Sequence, residues 1–277
     1  MELSEKLLTI CKENNIKESL IGCDDWQVLC HLSPMRENLL EWFEFKEDAV
    51  LLEIGSKAGA MTGLFAKRVG KVICLENNQD LMTVNIQRNS ECENVEFRVG
   101  NLKQIQQNEK YDYITLIGTL EQAHQYDETD NPYVSLLNTC KEHLKDDGTI
   151  IIALDNKTAM KYWAGAPENG TRRPFSGINN DYKENENRSF TKMELERMIQ
   201  QCDLKQAEFY YPVPDYRFMS VLYSEEFLPQ QGELRPGNTV YEQGGYQFFE
   251  EDLAYDIVCQ DGLYSYFADS FLIFVKK

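Results

Sequence analysis

A chain of 277 residues, 42% of them hydrophobic, is long enough to bury a full core as one elaborated domain or a domain with a sizeable insertion. No apolar run approaches the roughly 20 residues of a membrane span. With 46 acidic and 28 basic residues the net charge is −18. That disfavours a nucleic-acid substrate, because affinity for a phosphate backbone rests on clustered Lys and Arg.

Residues 1–48 read as an N-terminal helical cap. Leu3, Leu7, Leu8 and Cys11 fall at helical spacing. Ser33-Pro34 opens another helix, with proline at its first position and Leu39, Leu40, Trp42 and Phe43 on its apolar side. The cap is expected to pack on a sheet; the functional alternative is a lid over a ligand, with Arg36 reaching in. The first residues lack a basic stretch followed by an apolar one, so no signal peptide is expected.

From residue 49 to the end, a single α/β domain is expected. Strands are predicted at 49–54, 71–76, 95–99, 111–117 and 149–154, with helices at 59–69, 78–88 and 132–144 between them. Short apolar strands separated by helices imply a parallel sheet covered on both faces, and the right-handed crossover rule makes it doubly wound, Rossmann-like. The rhythm then breaks. Residues 164–189 form a long loop, Thr191-Lys192-Met193-Glu194 is a capping box opening a helix to about Cys202, and 206–211 is a sixth strand. A second insertion, 212–267, is rich in aromatics, among them Tyr216, Phe218, Tyr241 and Tyr246; its bland reading is packing for a lid or a subunit interface. Residues 270–275 close as the last strand.

Eight cysteines without a Cys-x-x-Cys pair suit free thiols in a reducing cytoplasm, and three separated histidines argue against a structural metal. The chemistry belongs beyond the carboxyl ends of the strands, where an open sheet of this kind binds ligands. After the first strand, Glu53-Ile54-Gly55-Ser56-Lys57-Ala58-Gly59 turns strand into helix and leaves backbone N–H groups facing open space. Glu76, about 20 residues on at the end of the second strand, is placed to hold both hydroxyls of a ribose. The glycine spacing differs from the dinucleotide pattern, and Glu53 would repel a diphosphate while suiting a sulfonium and an amino group. S-adenosylmethionine fits better than NAD.

These motifs, with Gly100-Asn101 and the fourth strand Tyr111-Asp-Tyr-Ile-Thr-Leu-Ile117, resemble class I S-adenosylmethionine-dependent methyltransferases over residues 50–155. A narrower resemblance runs through His31-Leu-Ser-Pro-Met-Arg-Glu-Asn38, Asp155-Asn-Lys-Thr-Ala-Met-Lys-Tyr-Trp-Ala-Gly165, Tyr210-Tyr-Pro-Val-Pro-Asp-Tyr216 and Ala268-Asp-Ser-Phe-Leu272. It is similar to bacterial methyltransferases found with surface-polysaccharide glycosyltransferases, which implies a sugar, nucleotide-sugar or related small acceptor. The class implies seven strands, the seventh antiparallel. Carried onto this chain, Gly55, Ser56 and Gly59 would form the cofactor loop and Glu53 would face the methionine part. Glu76, with Asn77 beside it, would hold the ribose, Asn101 and Leu102 would meet the adenine, and Gly118 and Thr119 would lie under the methionine end. Lys57 departs from the family, whose loop has its middle glycine there; its side chain must point away from the ligand or crowd it.

For an alcohol acceptor a base is needed, and His124 just past the fourth strand or Asp155 past the fifth is the expected one. Asn156, Lys157, Tyr162, Trp163, Arg172, Arg173, Asp215 and Tyr216 are expected on the acceptor side, since aromatic faces and guanidinium forks suit sugars and their phosphates. Each also has an ordinary reading, as core packing or as pairing for surplus acid. A homo-oligomer is left open. The rival from another class is a methyltransferase-like subunit that binds a ligand or partner without turnover, and a nucleotide-dependent oxidoreductase is the weaker alternative.

Overall fold

The computed structural model describes residues 2–13, 16–127, 129–234 and 247–277. Tyr241 and Tyr246 lie outside the described residues. No helix among the described residues is long and apolar enough to cross a membrane.

The chain enters through four short helices, α1 (Leu3–Lys12), α2 (Ile16–Leu20), α3 (Trp26–Leu32) and α4 (Asn38–Glu41). Asp25 caps α3, its carboxylate accepting from the backbone N–H of Gln27 and Val28. The helix expected from Pro34 is a 3₁₀ turn, Pro34–Glu37, that runs into α4. Leu39 and Leu40 are fully buried, but Trp42 lies past the helix end and is exposed. The alternation follows: β1 (Val50–Ile54), α5 (Thr62–Arg68), β2 (Lys71–Glu76), α6 (Gln79–Arg88), β3 (Val95–Val99), β4 (Tyr111–Ile117), α7 (Pro132–His143) and β5 (Leu144–Asp155). Asn78 caps α6, accepting from the N–H groups of Asp80 and Leu81. The short α8 (Met160–Trp163) precedes the long loop. Then come α9 (Lys192–Gln201), β6 (Lys205–Val213), β7 (Val221–Ser224), α10 (Glu251–Gln260), α11 (Tyr264–Phe267) and β8 (Ser270–Lys276). The Thr191–Glu194 capping box is formed at the start of α9.

The sheet runs β3-β2-β1-β4-β5-β8-β6-β7, with β1 to β5 parallel and β8 antiparallel to both its neighbours. Eight strands are present rather than seven. The extra one, β7, pairs with β6 at the sheet edge and comes from the segment read as an insertion. Two further boundaries differ. Helix α5 begins at Thr62, because Gly59 stands at φ 73°, a left-handed value that keeps the turn open. Strand β5 starts at Leu144, paired with Tyr111, and so continues through Asp147-Gly148 instead of beginning after it.

Strand β4 is buried throughout, and its alternate residues enter two cores on opposite faces of the sheet: Ile114 and Leu116 in one, Tyr113 and Ile117 in the other. Each fully buried aliphatic side chain contributes about 1.5–3 kcal/mol. A third cluster matters for the site. Leu7 and Cys11 of α1 and Val28 and Leu32 of α3 pack with Val84 of α6 and with Ala58 of the glycine turn. Arg88 on α6 donates to the carbonyls of His31 (2.6 Å) and Leu32 (3.3 Å). On the other side Asn38 donates to the Met219 carbonyl at 2.9 Å, and Trp26 packs on Phe218 with ring centroids 5.0 Å apart. The cap is thereby fixed over the carboxyl edge of β1.

Candidate functional site

A cavity of about 350 Å³ opens at the carboxyl ends of β1, β4 and β5, within the usual range of roughly 300–1,000 Å³ for small-molecule sites. Its floor is the turn after β1, its roof the cap, and its far wall the end of β5 with the 215–217 turn and the 169–187 loop.

The turn is built by backbone geometry. Gly55 stands at φ 75° and donates to the Leu75 carbonyl at 2.8 Å; a Cβ there would meet the Thr119 hydroxyl at 2.4 Å. Thr119 is fully buried and spends its hydroxyl on the Ile54 carbonyl at 2.8 Å. Ser56 accepts from Asn85 at 3.1 Å, which fastens the loop to α6. Glu53 lines the cavity, accepting from Thr62 at 2.6 Å and from the Cys74 thiol at 3.3 Å. Burial pushes its carboxyl up to about 7 in spite of those two donors.

Lys57, in place of the expected glycine, takes a left-handed φ of 49°. Its side chain turns inward: Nζ lies in the cavity and donates to the Gly118 carbonyl at 3.2 Å. Burial, and after it the neighbouring charges of Arg36 and Arg217, lower its pKa. Of the two alternatives for this position, the side chain does not point away from the cavity. The backbone of the same residue does something else, donating its N–H to Glu76 Oε2 at 2.8 Å. Glu76 Oε1 accepts from the N–H of Asn78 at 2.9 Å, so the carboxylate is aimed by the two loops it joins. Tyr126 reaches the same Oε2 at 3.4 Å.

On the acceptor side the carboxyl end of β5 supplies Asp155, gripped by both guanidinium nitrogens of Arg217 (2.9 and 2.7 Å) and by Asn169 at 2.8 Å. Burial opposes its charge, but Arg217 and Lys161 outweigh that and hold its pKa below the usual carboxylate range. It is therefore a poor general base. Asp215 orients the same arginine, Asp215 Oδ2 lying 3.1 Å from Arg217 Nη1, and Tyr216 lines the cavity beneath it. Glu121, from the 3₁₀ turn after β4, also lines the cavity. Burial, and then the charge of Asp155, raise its pKa well above the normal carboxylate range. This makes Glu121 the better-poised acid–base group.

His124 does not reach the cavity. Three residues on from Glu121 in the same irregular turn, it is half-buried with Nδ1 unpartnered among the described residues, and burial lowers its pKa. Asn77 donates to the Gln125 carbonyl at 3.0 Å, and Asn101 caps the following turn through Lys103 N at 3.0 Å. Leu102 packs against the core; none of these three lines the cavity. Gly118, at φ 64°, contributes its carbonyl.

Of the expected acceptor residues, Arg172, Tyr216 and Asp155 face the cavity, with Asp215 supporting Arg217. The others do not. Asn156 is fully buried and ties β5 to the Tyr266 and Ala268 carbonyls at 2.9 and 2.8 Å. Lys157 pairs with Glu194 at 2.8 Å and, with Trp163, lines a separate cavity of about 320 Å³. Tyr162 is a core residue, and Arg173 pairs outward with Glu186. Arg217 and Glu121 were missed because no local pattern marks them; Arg217 is legible only as the residue after Asp215-Tyr216.

Residues 52–152, which span β1 to β5, match the family model described as "Methyltransferase domain". Over 90 residues the chain is 36% identical to the ribosomal RNA small subunit methyltransferase A of Syntrophus aciditrophicus, covering 32% of this chain and 30% of that one. Among solved structures it is similar to an S-adenosylmethionine-dependent methyltransferase of Archaeoglobus fulgidus, with a TM-score of 0.52 and 15% identity over 87% of this chain and 92% of the other. It is also similar to the Haemonchus contortus phosphoethanolamine N-methyltransferase 1, with a TM-score of 0.51 and 15% identity, covering 77% of this chain. The chain spans less than half the length of that enzyme, 45%, and under a third of the ribosomal RNA methyltransferase. Its fold is that of the class I methyltransferases.

S-adenosylmethionine is the cofactor of methyltransferase domains on this fold. The residues present fit it at Glu53 and at the positive-φ Gly55, where a side chain would collide with Thr119; Glu76, whose two oxygens accept from the N–H groups of Lys57 and Asn78, does not line the cavity. They fit it less well at Lys57, whose ammonium group shares the cavity with the site of a cationic sulfonium.

Proposed function

We propose that this chain transfers a methyl group from S-adenosylmethionine to a small-molecule acceptor. The observation that carries it is one cavity joining the Glu53–Lys57 turn to Glu121 and the Asp155–Arg217 pair. The cofactor supplies an electrophilic methyl carbon. Glu53 and Glu76 would hold its amino group and ribose hydroxyls. The chain's own work on the other side is to orient an acceptor against Tyr216 and Arg217 and to exclude water beneath the cap, since alignment provides much of the rate of an in-line displacement.

For a hydroxyl acceptor, Glu121 accepts the proton in its ionised form, in place of His124 or Asp155. For an amine, no dedicated base is required. A sugar or nucleotide-sugar hydroxyl rests on the motif resemblance alone, and the net charge of −18 favours a small acceptor over RNA. The test is a screen of sugars, nucleotide sugars and small amines for release of S-adenosylhomocysteine. Calorimetry with S-adenosylmethionine precedes it: undetectable binding at about millimolar ligand, a free energy near −4 kcal/mol, would sink the proposal. Lys57 Nζ within the cavity favours one second reading, a ligand-binding subunit without turnover. Binding without product from any acceptor would support that reading.

A further inference from the structure

The protein carries a large excess of acid, yet the inner cavity collects cations. Arg36, Lys57, Arg172 and Arg217 all line it. Arg217 is saturated by Asp155 and Asp215. Arg36 is not. Its side chain comes from the 3₁₀ turn before α4, is 8% exposed, and lies 5.6 Å from the centre of the Tyr216 ring. Its Nε and Nη1 are buried with no hydrogen-bond partner among the described residues. A guanidinium with two buried, unused donors in a polar cavity is costly unless something fills them. Lys57 Nζ lines the same cavity, an ammonium with three donors that bonds the Gly118 carbonyl at 3.2 Å.

The other groups facing this end do not supply the missing negative charge. Glu53 and Glu121 are held toward their neutral forms, by burial first in each case. Asp155 is consumed by Arg217. His31, behind Arg36, stays neutral, burial lowering it to about 3.

We propose that Arg36 and Lys57 form a subsite for an anionic group, a phosphate or carboxylate, borne on the acceptor that occupies this cavity. A guanidinium with unused N–H donors can bond such an anion, and the ammonium adds a point charge beside it. On this proposal the anion is one end of an acceptor that shares the cavity with the cofactor and extends toward Glu121. The inference rests on the methyl-transfer reading only for the word acceptor; the anion subsite itself needs no turnover.

The experiment is calorimetry with inorganic phosphate on the full chain, alone and saturated with S-adenosylhomocysteine, for the wild type, Arg36→Met and Lys57→Met. Phosphate binding is expected with and without S-adenosylhomocysteine, and to weaken at least about tenfold, near 1.4 kcal/mol, in each variant. Arg36→Met keeps the side-chain volume and removes an uncompensated buried charge, and a circular dichroism melt checks its fold; if it fails to fold, Lys57→Met carries the test alone. No phosphate binding by the wild type, or equal binding in a folded variant, overturns the proposal. Loss of phosphate binding on saturation with S-adenosylhomocysteine assigns the donors to the cofactor's own carboxylate and also overturns it. Phosphate binding that needs Arg36, in a protein that does not bind S-adenosylhomocysteine, supports the subsite while sinking the methyl-transfer reading.

Discussion

The two halves of the cavity are made in different ways. The floor, Glu53 to Gly59, is one unbroken piece of chain whose shape is set by backbone: positive φ at Gly55, Lys57 and Gly59, and N–H groups donated to Leu75 and Glu76. The acceptor wall is assembled from Arg36, Glu121, Asp155 and Arg217, residues scattered over most of the sequence, with the Asp155–Arg217 ion pair holding its far side. A backbone-built site keeps its geometry through many substitutions. A charge-built one is sensitive to each member, because removing one partner strands the other.

The largest expected effect tests the chemistry of the wall. Glu121→Gln keeps shape and polarity but removes the carboxyl on the acceptor wall that is poised to gain or lose a proton. For a hydroxyl acceptor, kcat is expected to fall roughly 10²–10⁴-fold, the range for a lost general base, with S-adenosylhomocysteine binding retained. An unchanged rate would return the role to another group or to an amine acceptor. Next, Arg217→Met strands Asp155 and Asp215 in the interior. A loss of about 3–5 kcal/mol in chemical denaturation is expected, far more than for an exposed pair such as Lys46–Asp147.

The floor responds more gently. Glu53 has a carboxyl raised from 4.5 to about 7 on folding. The folded state therefore holds a proton that the unfolded state has lost between those values, so the contribution of Glu53 to stability is fullest below pH 4.5 and is lost as pH rises toward 7. The share of this residue is at most about 3 kcal/mol. Glu53→Gln should flatten that part of the stability–pH curve, and an unaltered slope would show that Glu53 is not the group responsible. The smallest effect is at Lys57. Lys57→Gly relieves a left-handed backbone, worth about 1 kcal/mol, and withdraws the ammonium. S-adenosylhomocysteine should bind about tenfold tighter; weaker binding would mean that the lysine serves the ligand rather than crowding it.

The floor was readable from the sequence because a strand–turn–helix site needs its residues in order and at fixed spacing. Glu76 was readable for the same reason: the next strand of a parallel sheet brings its end beside the first. The wall was not. Its members meet only through tertiary packing, and a turn as irregular as 120–125, with Gln122 outside helical angles, sends residues three apart to different surroundings. His124 therefore lies away from the cavity that Glu121 lines. Asn156 and Tyr162 were legible as polar and aromatic residues near the site. Their burial, with Asn156 spent on the Tyr266 and Ala268 carbonyls, could be decided only by the packing of the last strand and its preceding helix.

The Arg88 guanidinium, bonded to the His31 and Leu32 carbonyls, fastens the cap to α6 beside the cavity. Charge-assisted bonds of this kind are each worth roughly 1.5–3 kcal/mol. Swinging the cap away would break both and would also tear Asn38 from Met219. The opposite wall is a loop pinned from within: buried Glu168 accepts from Ser176 at 2.8 Å and Tyr182 at 2.7 Å, and Asn169 donates to Asp155 at 2.8 Å. Both walls are therefore tied to the body of the domain, the cap through main-chain carbonyls and the loop through buried carboxylates.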